Sequence, residues 1–282
     1  MALRGFFSYW IIPVFSSLVW LGMLLGLLLH WIVGTHRRLY PSMEEGQTIA
    51  YISDVGAQEL KPLFIAGSAV VTVTLDLSFV AERWLRHRGR LVRNSSVGER
   101  VLVALTIVFA IIGTCGLILL SIFDTWRHPR LHDIFLLLFI AGYLLSAVFI
   151  CWEYQRLGIK HRDFRVLRAS FWVKLTFILV EIVLAIVFAA TSFTRHRNIA
   201  AVFEWVIAFV FTFYILSFVI DLLPAIHTRH PSARFEKPRD MEEGNGGVGL
   251  AGNGNGHGNG GDHTNGGGYR REYPMDSNPP NF

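Results

Sequence analysis

Six apolar runs, each about as long as a lipid bilayer is thick, dominate this chain: 9–33, 62–81, 101–122, 134–152, 169–190 and 199–220. A helix needs roughly 20 such residues to cross the hydrocarbon core. Inside lipid every backbone N–H and C=O must be satisfied internally, which leaves only helices or closed barrels. Barrel strands alternate apolar and polar residues, and these runs do not. The pattern predicts an all-α polytopic membrane protein, a six-transmembrane-helix bundle over 1–224 with a disordered tail over 225–282. A charged fraction of 17% and a mean hydropathy of +0.42 suit such a chain and would be odd in a soluble one of 282 residues. The net charge of +5 is no sign of nucleic-acid binding, because the basic residues are spread among particular loops. The first run is too long for a signal peptide and has no small-residue cleavage site, so it reads as a retained anchor. Cys151, at the end of the fourth run, fits a small buried apolar residue better than a palmitoylation site.

Ionisable residues interrupt the spans at Asp76, Lys174, Glu181 and Glu204. At that depth they should face the bundle interior and find partners. Asp76 lies about 21 Å into the second span and Lys174 about 8 Å into the fifth from the opposite side, which matches their depths. An Asp76–Lys174 pair is therefore expected, with snorkelling of Lys174 as the alternative. Glu181, near the midplane, has no evident partner. It reads either as an interhelical hydrogen-bonding acid or as a proton or cation site in a transporter. Helix packing is expected at Gly22-xxx-Gly26 and Gly142-xxx-Ser146, and a slight kink at Pro13.

The remaining polar groups gather at the opposite ends of the spans. The first loop, 34–61, is the longest and carries Asp54; the second carries Asp124, His128, His132 and Asp133. Glu204-Trp205 opens the sixth span. In a compact bundle Asp54, Asp124, His132 and Glu204 converge on one mouth. Asp/His sets can bind zinc or do acid–base chemistry, but Pro129 and the short loop weaken the His128/His132 ligand spacing. The commoner role is a hydrogen-bonded latch: Asp54 takes a donor from His132, and Glu204 orients the imidazole. No catalytic residue, metal or cofactor is assigned.

Ile52-Ser53-Asp54-Val55-Gly56-Ala57, with Phe123-Asp124 through His132-Asp133 and with Glu204-Trp205, resembles the family that joins the DRAM autophagy modulators, the FGF-receptor-activating protein and the fungal suppressor-of-four-kinase protein. The resemblance covers about residues 8–222. It implies a non-enzymatic membrane regulator or scaffold. The fungal branch implies support of a phosphatidylinositol 4-kinase assembly and lipid organisation at the plasma membrane. The other branches imply a lysosomal or vacuolar autophagy modulator, or a protein of GPI-anchor lipid remodelling with an outer-face Asp/His/Glu site. The Gly/Asn-rich tail, with thirteen Gly and five Asn between 244 and 268, has a fungal character.

Orientation follows from Lys and Arg in the short loops. The N-terminus, the loops 82–100 and 153–168 and the start of the tail hold sixteen; the other three loops hold seven. The bias predicts both termini in the cytoplasm. On that inner face Arg86, Arg88, Arg90, Arg93, Arg162, Arg165, Arg168, Arg229 and Arg234 are candidates to contact anionic lipids, phosphoinositides among them, or a peripheral kinase complex. Glycosylation mapping checks the orientation. Native Asn94, in Asn94-Ser95-Ser96, should stay bare, and an acceptor inserted near Glu45 should carry sugar.

Overall fold

The computed structural model describes residues 9–88, 90–91, 96–160 and 165–223. The expected tail over 225–282 lies outside them. Among the described residues the structure is all helical. Helix α1 is Ile11–Leu29, which continues through a π-helical turn at His30–Gly34. A short α2, Ile52–Gly56, sits within the first loop. The long helices α3 (Lys61–His87), α4 (Val97–Ile122), α5 (Pro129–Lys160), α6 (Arg165–Phe193) and α7 (Arg197–Leu222) follow. Six helices among the described residues are long and apolar enough to cross a membrane.

Consecutive long helices are neighbours, and α7 returns to pack on α1, closing a ring in chain order. One end of the ring carries the long first loop and is here the loop end. The other, where α3 gives way to α4 and α5 to α6, is the basic end. Interior side chains recur with the helical period. Trp20, Leu24 and Leu27 of α1 meet Val71, Leu75 and Phe79 of α3, Ile150, Tyr154 and Leu157 of α5, and Phe211, Ile215 and Phe218 of α7. Leu18, Val73, Leu137, Ile186 and Phe213 point outward and are exposed, a girdle suited to lipid. Helix α6 is the least enclosed. Only 11% of its most apolar window is buried in the bundle, against 33–44% for the other five.

The helices run past the apolar runs, chiefly at the basic end: α3 reaches His87 instead of residue 81, and α5 reaches Lys160 instead of residue 152. Local chemistry explains this. Ser96 caps α4, its hydroxyl accepting from Glu99 N–H while the Glu99 carboxylate accepts from Ser96 N–H. Buried ion pairs hold the extra turns of α3 and α5, as described below. Pro13 falls in the first turn of α1, where a missing N–H breaks no helical bond, so the helix has no need to kink there.

Close helix approach occurs at one of the two expected motifs. A Cβ on Gly142 would lie 2.4 Å from the Gly113 nitrogen, and one on Gly116 would lie 2.5 Å from the Phe139 nitrogen, so α4 and α5 touch backbone to backbone. Ser146 donates across the same seam to the Thr106 carbonyl at 3.0 Å. At Gly22 a Cβ would meet nothing within 4 Å, and the tight contact of α1 is instead made from the α3 side, where Gly67 packs on Met23. Gly142→Ala should therefore lower stability by about 1–3 kcal/mol, the cost of overpacking a tight seam. Gly22→Ala should be neutral or slightly stabilising. Thermal unfolding of the two variants in detergent checks the contrast.

Candidate functional site

The loop end is built around Asp54, in the middle of α2 and almost wholly buried. An ionised carboxylate there needs several donors. It receives the Ser42 hydroxyl at 2.7 Å, the Gln47 amide at 2.9 Å and the Tyr51 backbone N–H at 3.0 Å. All three donors come from the first loop itself, so Asp54 folds that loop around its own side chain. Gly46, between Ser42 and Gln47 in this turn, has φ +82°, which a side chain would strain.

The start of α7 then clasps the folded loop. Arg197 pairs with both carboxylate oxygens of Glu44 at 2.8 and 2.7 Å. Asn198 accepts from Thr48 N–H at 2.7 Å and Ile49 N–H at 3.0 Å. Glu204 accepts from Ile52 N–H at 2.7 Å, and Trp205 donates to the Ala50 carbonyl at 3.0 Å. The second loop is tied separately. Lys61, at the start of α3, reaches Asp124 at 2.5 Å, and Arg127 N–H donates to the same carboxylate at 2.6 Å. Burial opposes ionisation of Asp124, but the Lys61 ammonium and the Arg127 N–H outweigh it and hold its carboxyl below the usual range. His132, buried, bonds through Nδ1 to the Phe123 carbonyl at 3.0 Å.

The sequence expectation of a direct Asp54–His132 contact is thus corrected. Asp54 is satisfied by its own loop, His132 by the residue where α4 ends, and Glu204 caps the first turn of α2 without orienting an imidazole. All four candidates nonetheless lie at the loop end, each engaged with backbone or loop groups. Ser42, Gln47 and Asn198 were missed. Ser42 and Gln47 carry only the signal of polar residues in a loop that must satisfy a buried carboxylate, and Asn198, which holds that loop's backbone from α7, carries none.

The basic end holds a second, larger arrangement. Glu82 of α3 accepts from Arg86 Nη2 at 2.7 Å and from the Tyr154 hydroxyl of α5 at 2.6 Å. Arg83 pairs with Glu153, the residue beside Tyr154. Lys174 of α6 pairs with Asp221 of α7 at 2.5 Å, and Ser170 donates to the same carboxylate. The Lys174 ammonium also lies 4.2 Å from the Phe218 ring centre and 5.3 Å from that of Tyr154, with the Arg86 guanidinium 5.1 Å from the Tyr154 ring. Glu82, Glu153 and Asp221 thus balance Arg83, Arg86 and Lys174 in the middle of the ring. They link α3 to α5, which are not ring neighbours, and α6 to α7.

Two further expectations change here. Lys174 pairs with Asp221 and not with Asp76, because Asp221 sits on the adjacent α7 while the Asp76 carboxylate faces α4. Asp76 accepts from the Thr114 hydroxyl at 2.7 Å, and Thr114 in turn contacts the Tyr143 hydroxyl at 2.8 Å. Arg86 is no surface contact; burial against Glu82 and Tyr154 takes it out of reach of lipid headgroups. Arg88 is exposed with its guanidinium 4.6 Å from the Trp84 ring centre, Arg168 is exposed, and Arg90 is partly so. Arg93, Arg162, Arg229, Arg234 and the Arg165 side chain lie outside the described residues. Glu181 Oε1 is buried with no hydrogen-bond partner among the described residues. Among those residues no group of His, Cys, Asp and Glu is arranged to hold a metal ion.

A ring of six spanning helices, charge-plugged at one end and loop-clasped at the other, defines an integral membrane protein whose polar groups brace the bundle. Residues 8–225 match the model of the Frag1/DRAM/Sfk1/Cwh43P N-terminal domain, and the chain belongs to that family. It is similar to protein sfk1 of Schizosaccharomyces pombe, 31% identical over 225 residues that span 79% of this chain and 66% of that protein. It is also similar to protein SFK1 of Saccharomyces cerevisiae, 26% identical over an alignment 275 residues long that covers 73% of this chain and 76% of that protein. No solved structure matches the chain.

Two outcomes test the energetics of these ends. Lys174→Met should cost about 3–5 kcal/mol, because it strands a buried carboxylate, and adding Asp221→Leu should recover most of that. Unfolding midpoints of the single and double variants in detergent compare them. Asp54→Ala should speed limited proteolysis between Glu44 and Lys61, since each unpaired donor left behind costs about 1–3 kcal/mol.

Proposed function

We propose that this chain is a non-enzymatic membrane regulator whose basic end faces the cytoplasm and engages anionic lipid or a peripheral phosphoinositide-kinase assembly, with the plasma membrane as its compartment. The observation that carries this reading is the engagement of the loop-end polar set. Asp54 is held by three donors, Glu204 caps Ile52, and His132 bonds a backbone carbonyl. Groups so committed to folding a loop are poorly placed for hydrolysis. At the basic end, by contrast, Arg88, Arg100, Arg156, Lys160 and Arg168 are exposed, beside the exposed indoles of Trp84, Trp152 and Trp172. Tryptophan at the headgroup level with arginine beyond it is the arrangement of an anionic-leaflet interface. The two yeast relatives carry the name Sfk1. The fungal branch of the family, which the Gly/Asn-rich tail favours, implies the kinase link.

Each exposed basic residue near an anionic leaflet contributes about 1 kcal/mol. Replacing Arg88, Arg156 and Arg168 together by Gln should therefore lower plasma-membrane phosphatidylinositol 4-phosphate, read with a fluorescent lipid sensor in cells relying on this protein. Deleting residues 225–282 should act in the same direction, and His132→Ala should not once folding is matched. A silent triple variant and truncation beside a null, folded His132→Ala would reverse the reading in favour of loop-end chemistry.

A further inference from the structure

Behind the poorly enclosed α6 lies a cavity of about 100 Å³ in the loop-end half of the bundle. Its walls come chiefly from α5, α6 and α7, and most of them are aliphatic or aromatic, with Tyr143, Phe188, Phe211 and Tyr214 prominent. Two carboxyls open into it, Glu181 of α6 and Glu204 of α7, and no Lys, Arg or His lines it among the described residues. Glu181 lies about 18 Å and Glu204 about 11 Å along their helices from the loop end, so the cavity is at hydrocarbon depth. Leu136, Ile140 and Leu144 on the α5 wall and Ala185 on the α6 wall are only partly buried. Lipid chains therefore run past one side of the cavity, a single side chain away.

We propose that this cavity is a binding site for a membrane-dissolved amphiphile with an ammonium head, such as a long-chain amine. Glu204 already uses its carboxylate to hold Ile52 N–H, whereas Glu181 Oε1 is buried without a partner among the described residues. An unpaired acceptor in a water-poor cavity is costly, and a donor brought from outside relieves it. A single ammonium carries three donors and one positive charge, so it can serve Glu181 in a cavity that the Glu204 carboxyl also lines. The aromatic faces around it add cation–π attraction, which strengthens when the cation is desolvated. The volume accepts the head and the first methylenes, and the remaining chain passes between α5 and α6 into lipid. An anionic head meets two carboxyls and no cation among the described residues there, and a neutral head forgoes both the charge pairing and the aromatic attraction. The site is independent of the basic-end reading above and survives or fails without it.

The test uses the purified full chain in lipid nanodiscs with three photoreactive probes of one chain length, ending in a primary amine, an alcohol or a carboxylic acid. Cross-linked peptides are read by mass spectrometry. The amine should label the stretches around Ile178–Ala185 and Phe211 at least about fivefold more than the alcohol, within the range of a desolvated cation–π contact. The acid should label them least. Glu181→Gln should reduce amine labelling about tenfold, and Ala185→Trp, which fills the cavity while leaving both carboxyls, should abolish it. Equal labelling by amine and alcohol overturns the ammonium assignment, and labelling that ignores Ala185→Trp overturns the site. If Glu181→Gln fails to fold, the wild-type comparison of the three probes and the Ala185→Trp variant still decide.

Discussion

Burial of charge in a hydrocarbon-walled ring is the constraint around which the rest of this bundle is organised. Glu82, Arg83, Arg86, Glu153, Lys174 and Asp221 sit where water cannot solvate them, and each survives only because an opposite charge and further hydrogen bonds are within reach. The geometry that satisfies them also fixes the helices. Glu82 and Arg83 reach across to α5 and lock the rotation of α3, while Lys174 and Asp221 set the register of α6 on α7. Tyr154 is the hinge point of the network. Its hydroxyl bonds Glu82, and two cations approach its ring. In lipid, where apolar contact between helices gains little over contact with acyl chains, such bonds and tight small-residue seams supply specificity. The α4–α5 seam at Gly113, Gly116 and Gly142 is the complementary device. It brings Thr114 and Tyr143 together beneath Asp76.

What the chain reveals in one dimension divides along physical lines. Apolar length is a local property, so the six spans and their number were readable directly. Their ends were not. Glu82, Arg83, Glu153 and Asp221 interrupt the apolar count at the very turns where ion pairing extends the helices, and hydropathy cannot distinguish a paired buried charge from a solvated one. Depth counted from the ends of the apolar runs misled: Asp76 reaches Tyr143 through Thr114, whereas Lys174 lies by Tyr154, eleven residues and about 16 Å further along α5. Azimuth was not recoverable. Two carboxylates, Glu82 and Asp221, lie at the level of the lysine, and the rotation of each helix decides which one meets it.

The loop end shows the same division. Asp54, Asp124, His132 and Glu204 stood out as ionisable residues at one mouth, and they are there. Their bonds are made mostly to backbone groups and, for Asp54, to Ser42 and Gln47, residues with no periodicity to mark them. A carboxylate that gathers donors from its own loop leaves no long-range pattern in sequence.

Helix α7 takes part at both ends. Glu204 grips the first loop near its start, and Asp221 grips Lys174 near its finish, seventeen residues and about 26 Å further along a continuous helix. Trp20 of α1 braces it between the two, donating to the Ala208 carbonyl at 2.8 Å. Helices are stiff against torsion over such lengths, so α7 acts as an axle. Turning it enough to release Ile52 also swings Asp221 away from its lysine. Leu223, the last described residue, continues this axle. A tug or twist delivered there arrives at the Asp221 carboxylate first and at the far loop second, with no flexible joint between them to absorb it.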